Sequence, residues 1–107
     1  MKRLTKLKWV FVDLDNTLAV EVFPKRGIGK PTKGAREAME FLYKKGYKVI
    51  IHTSRHWEEY VHIENWLLKN KIPFKNIICG KPLGALSIDD KNIEFKGDWQ
   101  EVISKVS

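Results

Sequence analysis

A chain of 107 residues is close to the size of one compact domain and leaves little length for a second, so a single domain over residues 1–107 is expected. Lysine and arginine outnumber aspartate and glutamate by 20 to 13, a net charge of +7 that favours anionic partners without choosing between phosphorylated small molecules and nucleic acid. One cysteine, Cys79, excludes an internal disulfide framework and a thiol zinc site, and no apolar run approaches the roughly 20 residues that span a bilayer, so a soluble, cytoplasmic protein with no membrane partner is expected.

The first segment, MKRLTKLKWVFVDLD, is basic and then apolar in the manner of a signal peptide, but its apolar run stops after four residues at Asp13. A buried strand over Trp9 to Val12 is the better reading. Leu18 to Pro31 mixes apolar and basic residues and is broken by Pro24, Gly27, Gly29 and Pro31, which reads as a long loop or a small hairpin of the kind that covers binding sites. Thr32 can cap a helix whose apolar residues Ala35, Ala38, Met39 and Leu42 recur at helical spacing, with Gly46 as its stop. Tyr47 to Ile51 reads as a second buried strand. A second helix runs from about Trp57 to Asn70, with Tyr60, Ile63, Trp66 and Leu67 as its core stripe and Pro73 beyond its end. Asn76 to Cys79 is a weaker strand and Ala85 to Ile88 a further buried one. Asp98 and Glu101, after Gly97, have capping-box spacing at the head of a short last helix with Val102 and Val106 inward. The basic residues, Lys2, Arg3, Lys6 and Lys8, then Lys44, Lys45, Lys48, Lys69, Lys71 and Lys75, are scattered as on a solvated surface, so a nucleic-acid partner is not favoured.

Strands alternating with helices predict a three-layer α/β fold, Rossmann-like, with a central parallel sheet and right-handed crossovers. In such folds ligands bind beyond the carboxyl ends of the strands. The polar residues of interest fall where apolar runs end: Asp13 after the first, Thr53 after the second, Asp89 and Asp90 after the last. Asp13 and Asp15 place two carboxylates at one strand end, where a cation or a shared proton would offset their repulsion. One could then act as nucleophile and the other as proton donor and acceptor. The Thr53 hydroxyl could hydrogen-bond a phosphoryl oxygen or cap a helix, and Ser54 could take either part. Lys81, beside Pro82, could neutralise a phosphate or the nucleophile. His52 reads as a buried histidine and His62 as surface. Arg55 and His56 follow Thr53, either to touch substrate or to start the helix. Lys25, Arg26 and Lys30 could meet an anion or lie solvated.

This ordered set, an apolar strand ending D-x-D-x-T at Asp13 to Thr17, a strand ending at Thr53, a lysine at Lys81 and an acidic pair at Asp89 and Asp90, resembles the four motifs of the haloacid-dehalogenase-like (HAD) superfamily. The likeness spans roughly residues 8 to 95. It implies a magnesium-dependent phosphatase in which Asp13 forms an aspartyl-phosphate, Asp15 serves as general acid and base, and Thr53, Ser54 and Lys81 hold the phosphoryl group. Asp13, the Asp15 backbone carbonyl, and Asp89 or Asp90 would bind Mg2+. An acid at Asp15 favours a phosphatase over a dehalogenase. The 37 residues between Asp15 and Thr53 already hold a helix and a strand, so no cap domain is expected there. The pattern is most similar to the small uncapped phosphatases of the superfamily, which act on large substrates or assemble so that a neighbour covers the site, and a homo-oligomer is therefore in keeping with it. The substrate implied is a phosphorylated metabolite or nucleotide; a nucleic-acid end phosphatase and a non-catalytic HAD-fold binding module are the alternatives.

Overall fold

The computed structural model describes residues 8–22 and 27–106. Three short parallel strands form its sheet in the order β1 (Lys8–Val12), β2 (Tyr47–His52), β3 (Asn76–Ile78). Helix α1 (Ala35–Lys44) makes the first crossover, a 3-10 turn at Trp57–Glu59 and helix α2 (Tyr60–Lys69) make the second, and helix α3 (Trp99–Val106) follows the last strand. The chain is thus a small α/β unit, and the parallel sheet expected from the alternating pattern is present.

The register explains which strand face is buried. Val10 lies opposite Val49, and Val12 opposite Ile51, which in turn lies opposite Ile77. These residues join Ala35, Ala38, Met39 and Leu42 of α1 and Ile63 and Leu67 of α2 in one apolar cluster. The helical spacing read from the sequence therefore names the inward stripes correctly. At the helix ends, Glu40 and Lys44 of α1 line one surface groove with Leu68 of α2 and Lys71. Trp9 and Phe11 point the other way and are 49 % and 64 % exposed, so β1 offers solvent an apolar face that β2, with Ile50 buried, does not.

Thr32 does not cap α1. The N-cap is Gly34, in a left-handed conformation (φ 84°) with no side-chain cap bond. The Thr32 hydroxyl instead donates to the Thr17 carbonyl at 2.7 Å and accepts from the Trp99 indole N–H at 3.0 Å. It joins the loop after β1 to α3, a long-range use that local sequence cannot reveal. Gly46 (φ 93°) does end α1, its N–H bonded to the Tyr43 carbonyl at 3.0 Å. At α3 the Asp98 carboxylate accepts from the Gln100 N–H at 2.9 Å, as an N-cap should. Trp99 and Val102 are its buried residues, and Val106 packs partly against the core.

Ala85 to Ile88 forms no strand. The whole stretch from Pro82 to Glu94 is exposed, with Leu83, Leu86 and Ile88 all more than four-fifths open to solvent. A short apolar run satisfies the pattern of a buried strand whether or not a partner lies beside it, and periodicity carries no information about the partner. β1 pairs with β2 along one edge, and among the described residues no strand pairs with its other edge. Cys79, expected at the end of β3, lies just beyond it and is buried.

Candidate active site

β1 ends at Val12, and the chain then turns back on itself. Asn16, in a left-handed conformation (φ 66°), donates its N–H to the Ala19 carbonyl at 2.8 Å, and the Ala19 N–H returns to the Leu14 carbonyl at 2.9 Å. Leu14 and Leu18 are fully buried under this turn. The alternation of Asp13, Leu14 and Asp15 thus buries the leucine and leaves both carboxylates at the carboxyl end of the sheet, the rim that the sequence nominates.

The two carboxylates sit in different surroundings. Asp13 is half exposed; one of its oxygens accepts from the Leu14 N–H at 2.8 Å and forms an ion pair with the Lys81 ammonium at 3.6 Å. Asp15 is nearly enclosed, its side chain 9 % exposed. Both of its oxygens accept from Arg55: Nε donates to Oδ2 and Nη2 to Oδ1, each at 2.8 Å. The same guanidinium donates to the Glu59 carboxylate at 2.8 Å and to the Gly27 carbonyl at 2.7 Å. Hydrogen bonds to Asp15 and Glu59 raise the Arg55 pKa further above its ordinary value, against the opposing effect of burial. Of the two alternatives open from sequence, the helix start is not taken, since the turn begins at Trp57, and the Arg55 guanidinium is occupied by Asp15, Glu59 and the Gly27 carbonyl. Its signal there was only an arginine two residues past a strand-end threonine.

Thr53 and Ser54 follow β2. Thr53 is 1 % exposed, and its hydroxyl accepts from the Arg55 N–H at 3.1 Å, while its N–H and carbonyl are bonded to the Ile78 carbonyl at 2.9 Å and the Lys81 N–H at 3.0 Å. Together with the Gly80 N–H bonded to the Arg55 carbonyl at 2.8 Å, these bonds seat the Gly80–Lys81 loop against the end of β2 and so bring the Lys81 ammonium to Asp13. Ser54 is half-buried. His52, also half-buried, packs its ring at 5.6 Å on Phe11. Burial and the nearby Lys81 ammonium lower its pKa, and Asp13 partly opposes them. His56 and His62 are exposed. Trp57, 57 % exposed, stacks on Tyr60 with centroids 6.1 Å apart, and its indole nitrogen lies against Gly80.

The described arms of the Leu18 to Pro31 stretch, residues 18–22 and 27–31, run side by side. Ala19 pairs antiparallel with Pro31, and the Val20 N–H meets the Lys30 carbonyl at 2.8 Å. A side chain at Gly29 would place its first carbon 1.9 Å from the Val20 carbonyl oxygen, so this approach of the two arms requires glycine. Trp66 of α2, expected only as core, also donates its indole N–H to the Gly29 carbonyl at 3.0 Å. Lys25 and Arg26 lie outside the described residues, as do Lys2, Arg3 and Lys6 of the N-terminal segment; Lys30 is exposed.

Asp89 and Asp90 stand on the exposed segment. Hydrogen bonding with Asp90, then with the Lys91 N–H, lowers the Asp89 pKa. Among the described residues no three His, Cys, Asp or Glu side chains group closely enough to hold a metal ion. As it stands the acids named for Mg2+ are not grouped: Lys81 pairs with Asp13, and Asp89 and Asp90 stand on the exposed segment. Two grooves of about 190 and 430 Å3 are lined by Tyr47, Lys48 and Lys75 and by residues of the α1 and α2 ends, at the amino-terminal edge of the sheet, opposite Asp13.

No family model and no curated protein matches the chain. Two solved structures do. A structural-genomics target from Vibrio cholerae is 22 % identical with a TM-score of 0.67, the match covering 94 % of this chain and all of that one. A conserved protein from Bacteroides thetaiotaomicron is 20 % identical with a TM-score of 0.69, covering 94 % and 90 % of the two chains. At such identities the likeness concerns the fold, and it extends over nearly the whole chain. Among the described residues no helix is long and apolar enough to cross a membrane.

Proposed function

We propose that this chain is a phosphomonoester hydrolase of the haloacid-dehalogenase-like type, acting on a phosphorylated metabolite or nucleotide through Asp13. The observation that carries the reading is the contrast between two carboxylates two residues apart: Asp13 half exposed beside an ammonium, Asp15 enclosed and held through both oxygens. Such a pair divides the labour of phosphoryl transfer. Asp13 attacks phosphorus and the ester P–O bond breaks, the leaving alkoxide taking from Asp15 a proton that this carboxylate, ionised at rest against Arg55, first accepts from the phosphate monoanion as substrate binds. Water then attacks the aspartyl-phosphate, gives its proton to Asp15 and releases inorganic phosphate. Lys81 neutralises charge on Asp13 and the transferring group. Thr53, whose hydroxyl accepts from the Arg55 N–H and keeps its own O–H to donate, would meet a phosphoryl oxygen together with Ser54, while its backbone supports the loop that carries Lys81.

Magnesium belongs to this proposal with one condition. The ion would lie with Asp13, the Asp15 backbone carbonyl and Asp89 or Asp90, where it would offset the charge between nucleophile and phosphate. Those acids come together only if the exposed segment from Pro82 to Glu94 folds back towards Asp13. The third layer, the absence of a cap domain and a homo-oligomeric state are likewise part of the proposal, as is a cytoplasmic setting, with which the buried lone thiol of Cys79 accords.

A nucleic-acid end phosphatase is the second reading, supported by the exposed Trp57 next to Gly80 and Lys81. An indole there could stack a base while Lys81 meets the terminal phosphate. Phosphate release from sugar phosphates, nucleotides and 5′- or 3′-phosphorylated oligonucleotides, with magnesium or chelator, tests both. Magnesium-dependent release lost in Asp13→Asn supports the hydrolase, and salt-sensitive preference for oligonucleotides selects the second reading. No release from any of them would point to a binding module.

A further inference from the structure

Arg55 is 5 % exposed and lies three residues beyond the end of β2. A guanidinium has five N–H donors, and here four hydrogen bonds are made: two to Asp15, one to Glu59 and one to the Gly27 carbonyl. Little is left with which to bind a substrate. The backbone around Arg55 is fixed as well, its N–H on the Thr53 hydroxyl and its carbonyl under the Gly80 N–H. A planar fork on a planar carboxylate settles rotation as well as place, which a point charge does not. The end of β2 therefore controls where the Asp15 carboxylate points, through two consecutive rigid contacts.

We propose that Arg55 is the positioning residue for Asp15, aiming that carboxyl at the leaving-group oxygen without itself touching substrate, an inference that rests on the phosphohydrolase reading above. The Gly27 carbonyl on the same guanidinium ties the arm of residues 27–31 into this alignment. A proton delivered in line matters greatly when an alkoxide must leave and little when a nitrophenolate leaves, so misalignment of Asp15 has a signature that general loosening of the fold does not.

The test compares kcat/KM for an alkyl phosphate and for p-nitrophenyl phosphate in the wild type, Asp15→Asn and Arg55→Lys. This ratio covers only the steps up to cleavage of the ester bond and is blind to the later hydrolysis of the aspartyl-phosphate. Arg55→Lys keeps the charge and loses the fork. It is expected to lose on the order of 10²-fold on the alkyl substrate and less than about tenfold on the aryl one, following the pattern of Asp15→Asn. Equal losses on the two substrates, or none, would overturn the positioning role. Should Arg55→Lys not fold, the double variant Arg55→Gln with Glu59→Gln, which removes one charge of each sign, gives the same comparison. Failure of both to fold would make Arg55 a scaffold residue and end the proposal. A wild type inactive on both substrates would sink the hydrolase reading itself, before any variant is compared.

Discussion

The two acidic stretches of this chain, Asp13 to Asp15 and Asp89 to Asp90, have similar sequences and opposite surroundings. The first sits on a turn whose leucines are fully buried, and each of its carboxylates has a basic partner: the Arg55 fork for one, the Lys81 ammonium for the other. The second stands on a segment that buries almost nothing, and its acids interact with each other and with the neighbouring Lys91 N–H. A site built on a packed strand end is aligned before any ligand arrives, at a cost already met by the core; one on an exposed segment must be ordered by its ligand. Half of the proposed phosphatase site is thus preassembled, and the other half is conditional.

That contrast breaks most sharply at Asp15. Asp15→Asn removes the charge that faces a buried guanidinium and one of its acceptors, and Glu59 compensates only in part. We expect a stability loss of about 2–3 kcal/mol, read by urea unfolding, together with loss of phosphatase activity on alkyl esters. A variant as stable as the wild type would mean that the fork contributes little. Gly29→Ala comes next. Its new methyl group would meet the Val20 carbonyl, forcing apart the arms that hold Gly27 against Arg55, at about 1–3 kcal/mol. An unchanged melting temperature would show that the two arms yield freely.

The conditional half predicts a different outcome. Replacing both Asp89 and Asp90 by Asn should leave the melting temperature unchanged, because neither is packed against anything, yet raise the magnesium needed for half-maximal activity by about tenfold or more. In the wild type, Lys91 and Lys96, both exposed, should be trypsin-sensitive, and magnesium should slow cleavage there. Equal cleavage with and without the ion, at a concentration that supports turnover, would remove the segment from the metal site.

How much of this was legible in the sequence follows from the range of each interaction. Helical stripes such as Ala35, Ala38, Met39 and Leu42, and the strand run Tyr47 to Ile51, are local patterns, and the core cluster bears them out. The rim carrying Asp13 was legible for the same reason, since it needs only the point where an apolar run stops. The fork from Arg55 to Asp15 spans 40 residues and the Thr32–Trp99 bond 67, and no local pattern records such partners. Ala85 to Ile88 shows the converse error: its apolar pattern is real, but burial needs a neighbour, and the open edge of β1 has none among the described residues.

The smallest expected effect lies where the preassembled half meets solvent. His52 packs on Phe11 with Lys81 and Asp13 nearby, and its pKa is lowered in the fold by burial first and Lys81 second, with Asp13 opposing. A base whose folded pKa lies below its unfolded value of about 6.5 binds more protons when unfolded. Its contribution to stability is therefore fully present above that value and is lost as pH falls through the lower, folded pKa. The melting temperature should accordingly decline slightly more between pH 7 and pH 5 in the wild type than in His52→Asn. The signs of the two neighbours give a stricter check by NMR titration of the imidazole. Lys81→Met should move the His52 midpoint up and Asp13→Asn should move it down. Because Lys81 and Asp13 are themselves paired, the two shifts should be opposite in direction and smaller together than apart. Shifts of the same sign would place His52 outside the field of the Asp13–Lys81 pair, and would detach it from the rim on which the proposed chemistry depends.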